Sequence, residues 1–268
     1  MNEIMYDQNS ILITCVLFAC MIAAAEGGYR IARRISGSSS ESSRAHVGAI
    51  QASLLGVLAL LLGFTFSLSL QRFDSRSEAV VDEANAIGTA YLRADLLPEA
   101  QSAAVRQRIA DYLALRVQAG SITLADGAAR QAVLVRSQEQ LDRLWDLAVQ
   151  AARQDAGPVT TGLFIQALNE MIDSFGRRDA ELNRHVPEVV LFVLFGTFLM
   201  TGTIVGYASG YAGHRVSFVA YIMIALIVML VFIIIDLDRP RRGLIEVDQR
   251  AMVQLLEQIR ADGLSVER

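Results

Sequence analysis

Four stretches of this sequence run eighteen residues or more without a formal charge: 8–25, 45–71, 189–212 and 216–235. A bilayer core about 30 Å thick is crossed by roughly 20 apolar residues of α-helix. In lipid every backbone polar group must be satisfied within the segment, so helices are the structures that such stretches form. The fourth stretch is almost entirely Val, Ile, Leu, Met and Phe. Composition agrees, with 53% hydrophobic and 19% charged residues and a mean hydropathy of +0.38. A soluble domain carries about 25% charged residues. A net charge of -4 and a pI near 5.5 exclude a nucleic-acid-binding protein, which would be basic. The high hydrophobicity excludes a disordered chain. Glu3 and Asp7 stand where a signal peptide has its basic region, and Glu26-Gly27-Gly28-Tyr29 is a poor cleavage site. The first stretch is therefore expected to be a retained span.

Four spans put both termini and the middle segment on one side. Near the span ends, nine arginines fall on the terminus side and five on the hairpin side. That favours cytoplasmic termini, but without the long middle segment the tally is four against five, so charge alone does not decide orientation. The expected divisions are a first transmembrane hairpin over 8–71, a helical extramembrane domain over 72–186, a second hairpin over 187–235 and an amphipathic tail over 236–268. The second span is expected to continue as helix to about Leu96, where Leu97-Pro98 breaks it. Further helices are expected to about Ala119, from Thr123–Asp126 to Gln154, from Val159 to Asn183, and around 249–259 in the tail. Leu134, Leu141, Leu144, Trp145 and Ala148 keep a helical spacing that predicts a bundle core. No strand pattern is present.

The sequence holds no phosphate-binding loop, no GxGxxG, no HExxH, no CxxC and no GxSxG, so neither an enzyme nor a cofactor is expected. His46, His185 and His214 each lie near a span end and read as interfacial residues. Glu181 and His185, four apart, could face one metal ion, but two ligands do not make a site, and no metal centre is expected. Cys15 and Cys20 are too few for a disulfide framework and read as small core residues.

Two patterns carry more. Gly202, Gly206 and Gly210 recur every four residues in the third span, a spacing that lets helix backbones approach closely in lipid. Both packing within one chain and contact between copies fit this. In the second span, at about 100° per residue, Ser53, Gly56, Leu60, Phe64, Ser67 and Gln71 fall within an arc of roughly 80°. Asp74, Glu78, Asp82 and Asn85 continue the arc beyond the span, whereas Arg72 and Arg76 point away. The arc fits either a packed helix with a solvated acidic extension or a conduction path lined by one such helix from each of several copies.

The residues also carry a family likeness. Leu62-Gly63-Phe64 followed by Arg72-Phe73 resembles the second-helix signature of bestrophin channels. Leu61-Leu62-Gly63-Phe64, Arg72-Phe73-Asp74-Ser75-Arg76, the run from Val81 to Arg93, and the run from Asp236 to Gly243 resemble bacterial bestrophin-like proteins of unassigned function. The resemblance implies an all-α fold with four spans, a cytoplasmic helical bundle between spans 2 and 3, and a homopentamer. It also implies that the second helix lines the pore, with a neck at Gly56, Leu60 and Phe64. Gly56 stands where the family carries a bulky residue, and Asp74 where it carries a second tryptophan. Asp236 and Asp238 do not match the dense acidic run of the animal calcium clasp, so no calcium gating is expected.

The resulting expectation is a multi-pass protein of the bacterial inner membrane with cytoplasmic termini, forming a homo-oligomeric channel for monovalent ions. Bestrophins known as anion channels point to chloride. Carboxylate rings at Asp74, Glu78 and Asp82 point instead to cations. A non-conducting membrane-anchored sensor or scaffold, whose helical segment binds a protein partner, is the alternative.

Overall fold

The computed structural model describes residues 9–35, 41–122, 126–239 and 244–266. Glu3, Asp7, Gln8, Thr123 and the 240–243 part of the terminal motif lie outside them. The described residues form helices and connecting turns, without strands. In chain order the helices are α1 Ser10–Ile35, α2 Glu41–Arg93, α3 Glu99–Ser121, α4 Gly127–Gln154, α5 Thr161–Leu182, α6 Glu188–Tyr211, α7 Phe218–Asp238 and α8 Arg250–Val266, with a 3-10 turn at Ala94–Leu96. Four segments are long and apolar enough to cross a membrane: Ser10–Ile35, Ser42–Leu96, Val189–Tyr211 and Phe218–Asp238.

Local chemistry sets the helix ends. Leu97 is extended (φ -79°, ψ 158°) because the ring of Pro98 disfavours a helical residue before it. Asp126 caps α4 by accepting the Ala129 N–H at 3.0 Å, and Ser217 caps α7 by accepting that of Ala220 at 3.3 Å. Gly213, at φ 87°, ends α6 in a conformation that a side chain would resist. α3 does not stop at Ala119 but runs through Gly120 to Ser121, an isolated glycine being tolerated in a helix.

The chain divides into two compact units. The first holds the described residues up to Arg72 together with His185–Arg239. Its core is apolar throughout and includes Leu17, Met21, Leu58, Leu62, Leu194, Phe198, Ile224, Val228 and Ile235. α1 buries Leu17, Met21, Ala25, Gly28 and Ala32, a helical stripe that meets α6. That contact is backbone on backbone. A methyl group on Gly206 would stand 1.8 Å from the Ala25 carbonyl oxygen, and one on Gly28 would stand 2.0 Å from that of Thr203. At Gly210 and Gly202 the distances to Tyr29 O and Met21 O are 2.7 and 3.0 Å. The glycine stripe of the third span is thus occupied within the chain, and the oligomer contact that was its other reading loses this support.

Cys15 and Cys20 correct the sequence reading: both are exposed on α1 rather than in the core. They lie off the buried stripe, and in lipid a small apolar side chain has no need of burial.

The second unit runs over Phe73–Arg184 and takes in the described tail. Here α2, α3, α4, α5 and α8 enclose Val80, Ile87, Ile109, Leu113, Leu141, Leu144, Phe164, Met171, Met252 and Leu256. On α4 the buried positions are Val133, Ser137, Leu141, Leu144, Ala148 and Ala151. Trp145 is 41% exposed and Leu134 only half-buried, so the predicted core face is rotated slightly. The tail helix α8 buries Met252, Leu256 and Ile259, and its Leu255 rests against Gly88 of α2.

Candidate functional site

α2 has 53 residues and runs unbroken through Gln71, with two unlike faces. One face buries Leu58, Leu62, Thr65 and Ser69 in the first unit and Arg76, Ala79, Val80, Glu83 and Ile87 in the second. The other carries Ser53, Gly56, Leu60, Phe64, Ser67, Gln71, Asp74, Glu78, Asp82 and Asn85, every one exposed in the single chain. Leu60 and Phe64 are 57% and 62% exposed, so neither belongs to the core of the single chain. A methyl group added at Gly56 would meet nothing within 4 Å. Among the described residues this face therefore passes from small and apolar to acidic while exposed in the single chain, with one ion pair on it, at Asp82. Polar side chains at membrane depth face a water-filled cavity or another protein surface, because lipid cannot solvate them.

The arginines nearest this face divide. Arg76 is buried and donates from Nε to the Glu181 carbonyl (3.2 Å) and from Nη2 to that of Arg184 (2.7 Å), at the C-terminal end of α5. A cation there satisfies carbonyls that the helix leaves unpaired. Arg72 is half-buried. Neither lies on the acidic arc, as the helical spacing predicts. Arg177 of α5, which the sequence did not single out for this face, does reach it. Its Nη1 lies 3.8 Å from Asp82 Oδ2, and its Nη2 donates to Glu170 Oε1 at 3.0 Å. Asp74 and Glu78 have no such neighbour among the ion pairs of the described residues.

A second charged group is sealed inside the helical unit. Glu83 is fully buried and accepts four hydrogen bonds. These come from Tyr112 Oη (3.0 Å), Arg116 Nε (2.6 Å) and Nη2 (3.2 Å), and Arg178 Nη1 (2.5 Å). Burial pushes the Glu83 carboxyl up, but the two guanidiniums outweigh it and hold the group below the usual carboxylate range. Burial also drives the Tyr112 phenol well above its ordinary value, and Glu83 beside it adds to this. Arg178 also donates from Nη2 to Gln249 Oε1 at 2.8 Å, tying in the residue before α8. The group contains one carboxylate and two guanidiniums, so it is an interior support and not an open site.

The residues weighed as metal ligands have other partners. Glu181 accepts from Arg184 Nη1 at 2.6 Å, and the His185 ring lies 3.4 Å from the Asp238 carbonyl. Asp238 accepts the Val186 N–H, and Arg239 donates to Ser10 Oγ at 3.1 Å, all of them buried at the end of α7. Among the described residues no three His, Cys, Asp or Glu side chains gather in a metal-binding group.

A bestrophin-like domain matches residues 19–252, which takes in most of the first apolar helix, the other three and most of the helical unit. The chain belongs to the bestrophin-like family. Crystal structures of a bacterial bestrophin homolog from Klebsiella pneumoniae share its fold. One superposes at a TM-score of 0.64 with 17% identity, covering 94% of this chain and 97% of that one. A single-residue variant of that homolog gives 0.66 with 17% identity, over 94% and 98% of the two chains. No curated protein gives a significant match. The bestrophin-like chain is accordingly an all-α membrane protein, and the signature Leu61–Phe64 and Arg72–Arg76 runs lie on α2, the helix with the exposed arc.

Proposed function

We propose that this chain forms a homo-oligomeric ion channel, a pentamer as the family resemblance implies, with the exposed arc of α2 lining the pore. The observation that carries the reading is the continuous exposure of that arc from Ser53 to Asn85 while the opposite face of α2 is packed. Leu60 and Phe64 form the neck, where apolar rings gate by excluding water. Gly56 leaves the first ring wide. Beyond Gln71, Asp74 and Glu78 supply carboxylate rings that concentrate cations and repel anions, so monovalent cations are the favoured permeant ions. The helical unit and both termini lie in the cytoplasm, with the spans in the bacterial inner membrane. A membrane-anchored scaffold that binds a protein partner remains the competing reading.

Two measurements decide between them. Native mass spectrometry in mild detergent is expected to show a closed oligomer, and monomer alone would remove the channel reading. Planar-bilayer recording of purified protein under a KCl gradient is expected to give currents reversing toward the potassium potential. Silent bilayers from an intact oligomer would favour the scaffold.

A further inference from the structure

We propose that Arg177 sets the charge of the inner end of the permeation face and thereby the degree of cation preference, an inference that rests on the pore reading above. Arg177 projects from α5 into a polar groove of about 430 Å³ between α2 and α5, lined also by Asp82, Asn85, Thr89, Gln166, Glu170 and a second cation, Arg93, which donates to the Leu163 carbonyl at 3.0 Å. The Arg177 guanidinium stands between two carboxylates, 3.8 Å from Asp82 and 3.0 Å from Glu170, and all three side chains are about half-exposed or more. Ion pairs this open to solvent contribute little to stability. Their consequence lies in the local field, because charges at the wall of a water-filled vestibule act on ions within a Debye length of about 8–10 Å. The acidic arc is therefore not uniform. Asp74 and Glu78 have no arginine beside them among the ion pairs of the described residues, whereas Arg177 offsets Asp82, and each copy in an oligomer repeats that offset around the axis. Removing the guanidinium exposes two carboxylates per copy without disturbing a core.

The test uses the full chain in planar bilayers, reading the potassium-to-chloride permeability ratio from reversal potentials. Arg177→Gln is expected to raise that ratio by about threefold at low salt, with a smaller effect at high salt. Arg177→Lys keeps the charge and is expected to stay at the wild-type ratio. Arg177→Gln/Asp82→Asn is expected to fall back at least halfway. Arg177→Met serves as the neutral variant if the glutamine protein fails to assemble. A wild-type ratio in Arg177→Gln, in a channel whose ratio still responds to Asp74→Asn/Glu78→Gln, overturns the role of Arg177 and leaves the pore reading standing. Equal shifts in the lysine and glutamine variants overturn it too, since shape and not charge would then be sensed. Absence of current from every protein defeats the pore reading and this inference together.

Discussion

Replacing Gly206 by alanine adds one methyl group where the structure has no room for it. The new carbon would stand 1.8 Å from the Ala25 carbonyl oxygen, against about 3.4 Å for ordinary contact, a shortfall of about 1.6 Å. The obstructing atom is backbone, so no side chain can swing aside, and α1 itself must shift and loosen Met21 and Ala25. Overpacking of this kind costs about 1–3 kcal/mol, and a backbone obstacle belongs at the upper end. Alanine also gains about 1 kcal/mol in helix propensity over glycine. Gly196→Ala isolates that gain, because a methyl group there meets nothing within 4 Å. The two variants on one helix should therefore differ by about 3 kcal/mol. At about 2–4 °C per kcal/mol for a chain of this size, the melting temperatures should lie about 6–12 °C apart. Gly202→Ala, 3.0 Å from the Met21 oxygen, should fall between them. Thermal unfolding of the purified proteins in detergent, followed by size-exclusion recovery, gives the comparison. Melting temperatures within about 2 °C for Gly206→Ala and Gly196→Ala would refute a backbone-to-backbone α1–α6 contact.

Leu60→Ala or Phe64→Ala should raise conductance or leak with melting nearly unchanged, since both side chains are exposed in the single chain. A loss of several degrees with unaltered currents would show packing residues instead. The triple variant Asp74→Asn/Glu78→Gln/Asp82→Asn should move the reversal potential toward that of chloride, and an unmoved reversal potential would make these carboxylates a solvated face. Glu83→Gln should destabilise the helical unit by about 3–5 kcal/mol, because it leaves two buried guanidiniums without their carboxylate. The folded Glu83 carboxyl titrates below its ordinary 4.5, so its contribution is complete above that value and disappears as pH falls through the lower folded one. Wild-type melting temperature should accordingly drop faster than that of Glu83→Gln between about pH 5 and pH 3. Parallel profiles would refute the assignment.

Much of this architecture follows from patterns that one sequence displays. Uncharged length marks the four apolar helices, and Pro98 and Asp126 mark helix ends that the structure places within a residue or two. The arc on α2 was visible because helical phase is regular, and α2 continues unbroken past Gln71. What the sequence hides is which member of a charged pair turns inward. Asp82 and Glu83 are neighbours, as are Arg177 and Arg178, yet one of each pair is exposed and the other buried. About 100° of helical rotation separates them, and only tertiary contact fixes which side is inside. A signal for Glu83 does exist: it interrupts the apolar series Val80, Ala84, Ile87 and Tyr91, where a lone carboxylate implies buried partners. No comparable signal links Arg177 to Asp82, because the two residues are far apart in sequence. Cys15 and Cys20 were misread through a rule for water-soluble cores, which lipid does not obey.

The spacing of the Glu83 partners along the chain also orders events during synthesis. Arg116 lies 33 residues after Glu83 and Arg178 lies 95 residues after it. Until the first emerges, docking the inner face of α2 would strand a carboxylate in an apolar interior, a cost that favours delay. When only Arg116 is present the pair is neutral, and Arg178 brings the further donor together with the surplus positive charge. The inner face of α2 is thus made early and closed late, after α5 has left the ribosome. Because Gln249 bonds Arg178 and α8 fills the same core, the helical unit can lock only once the residues of α8 have been made as well.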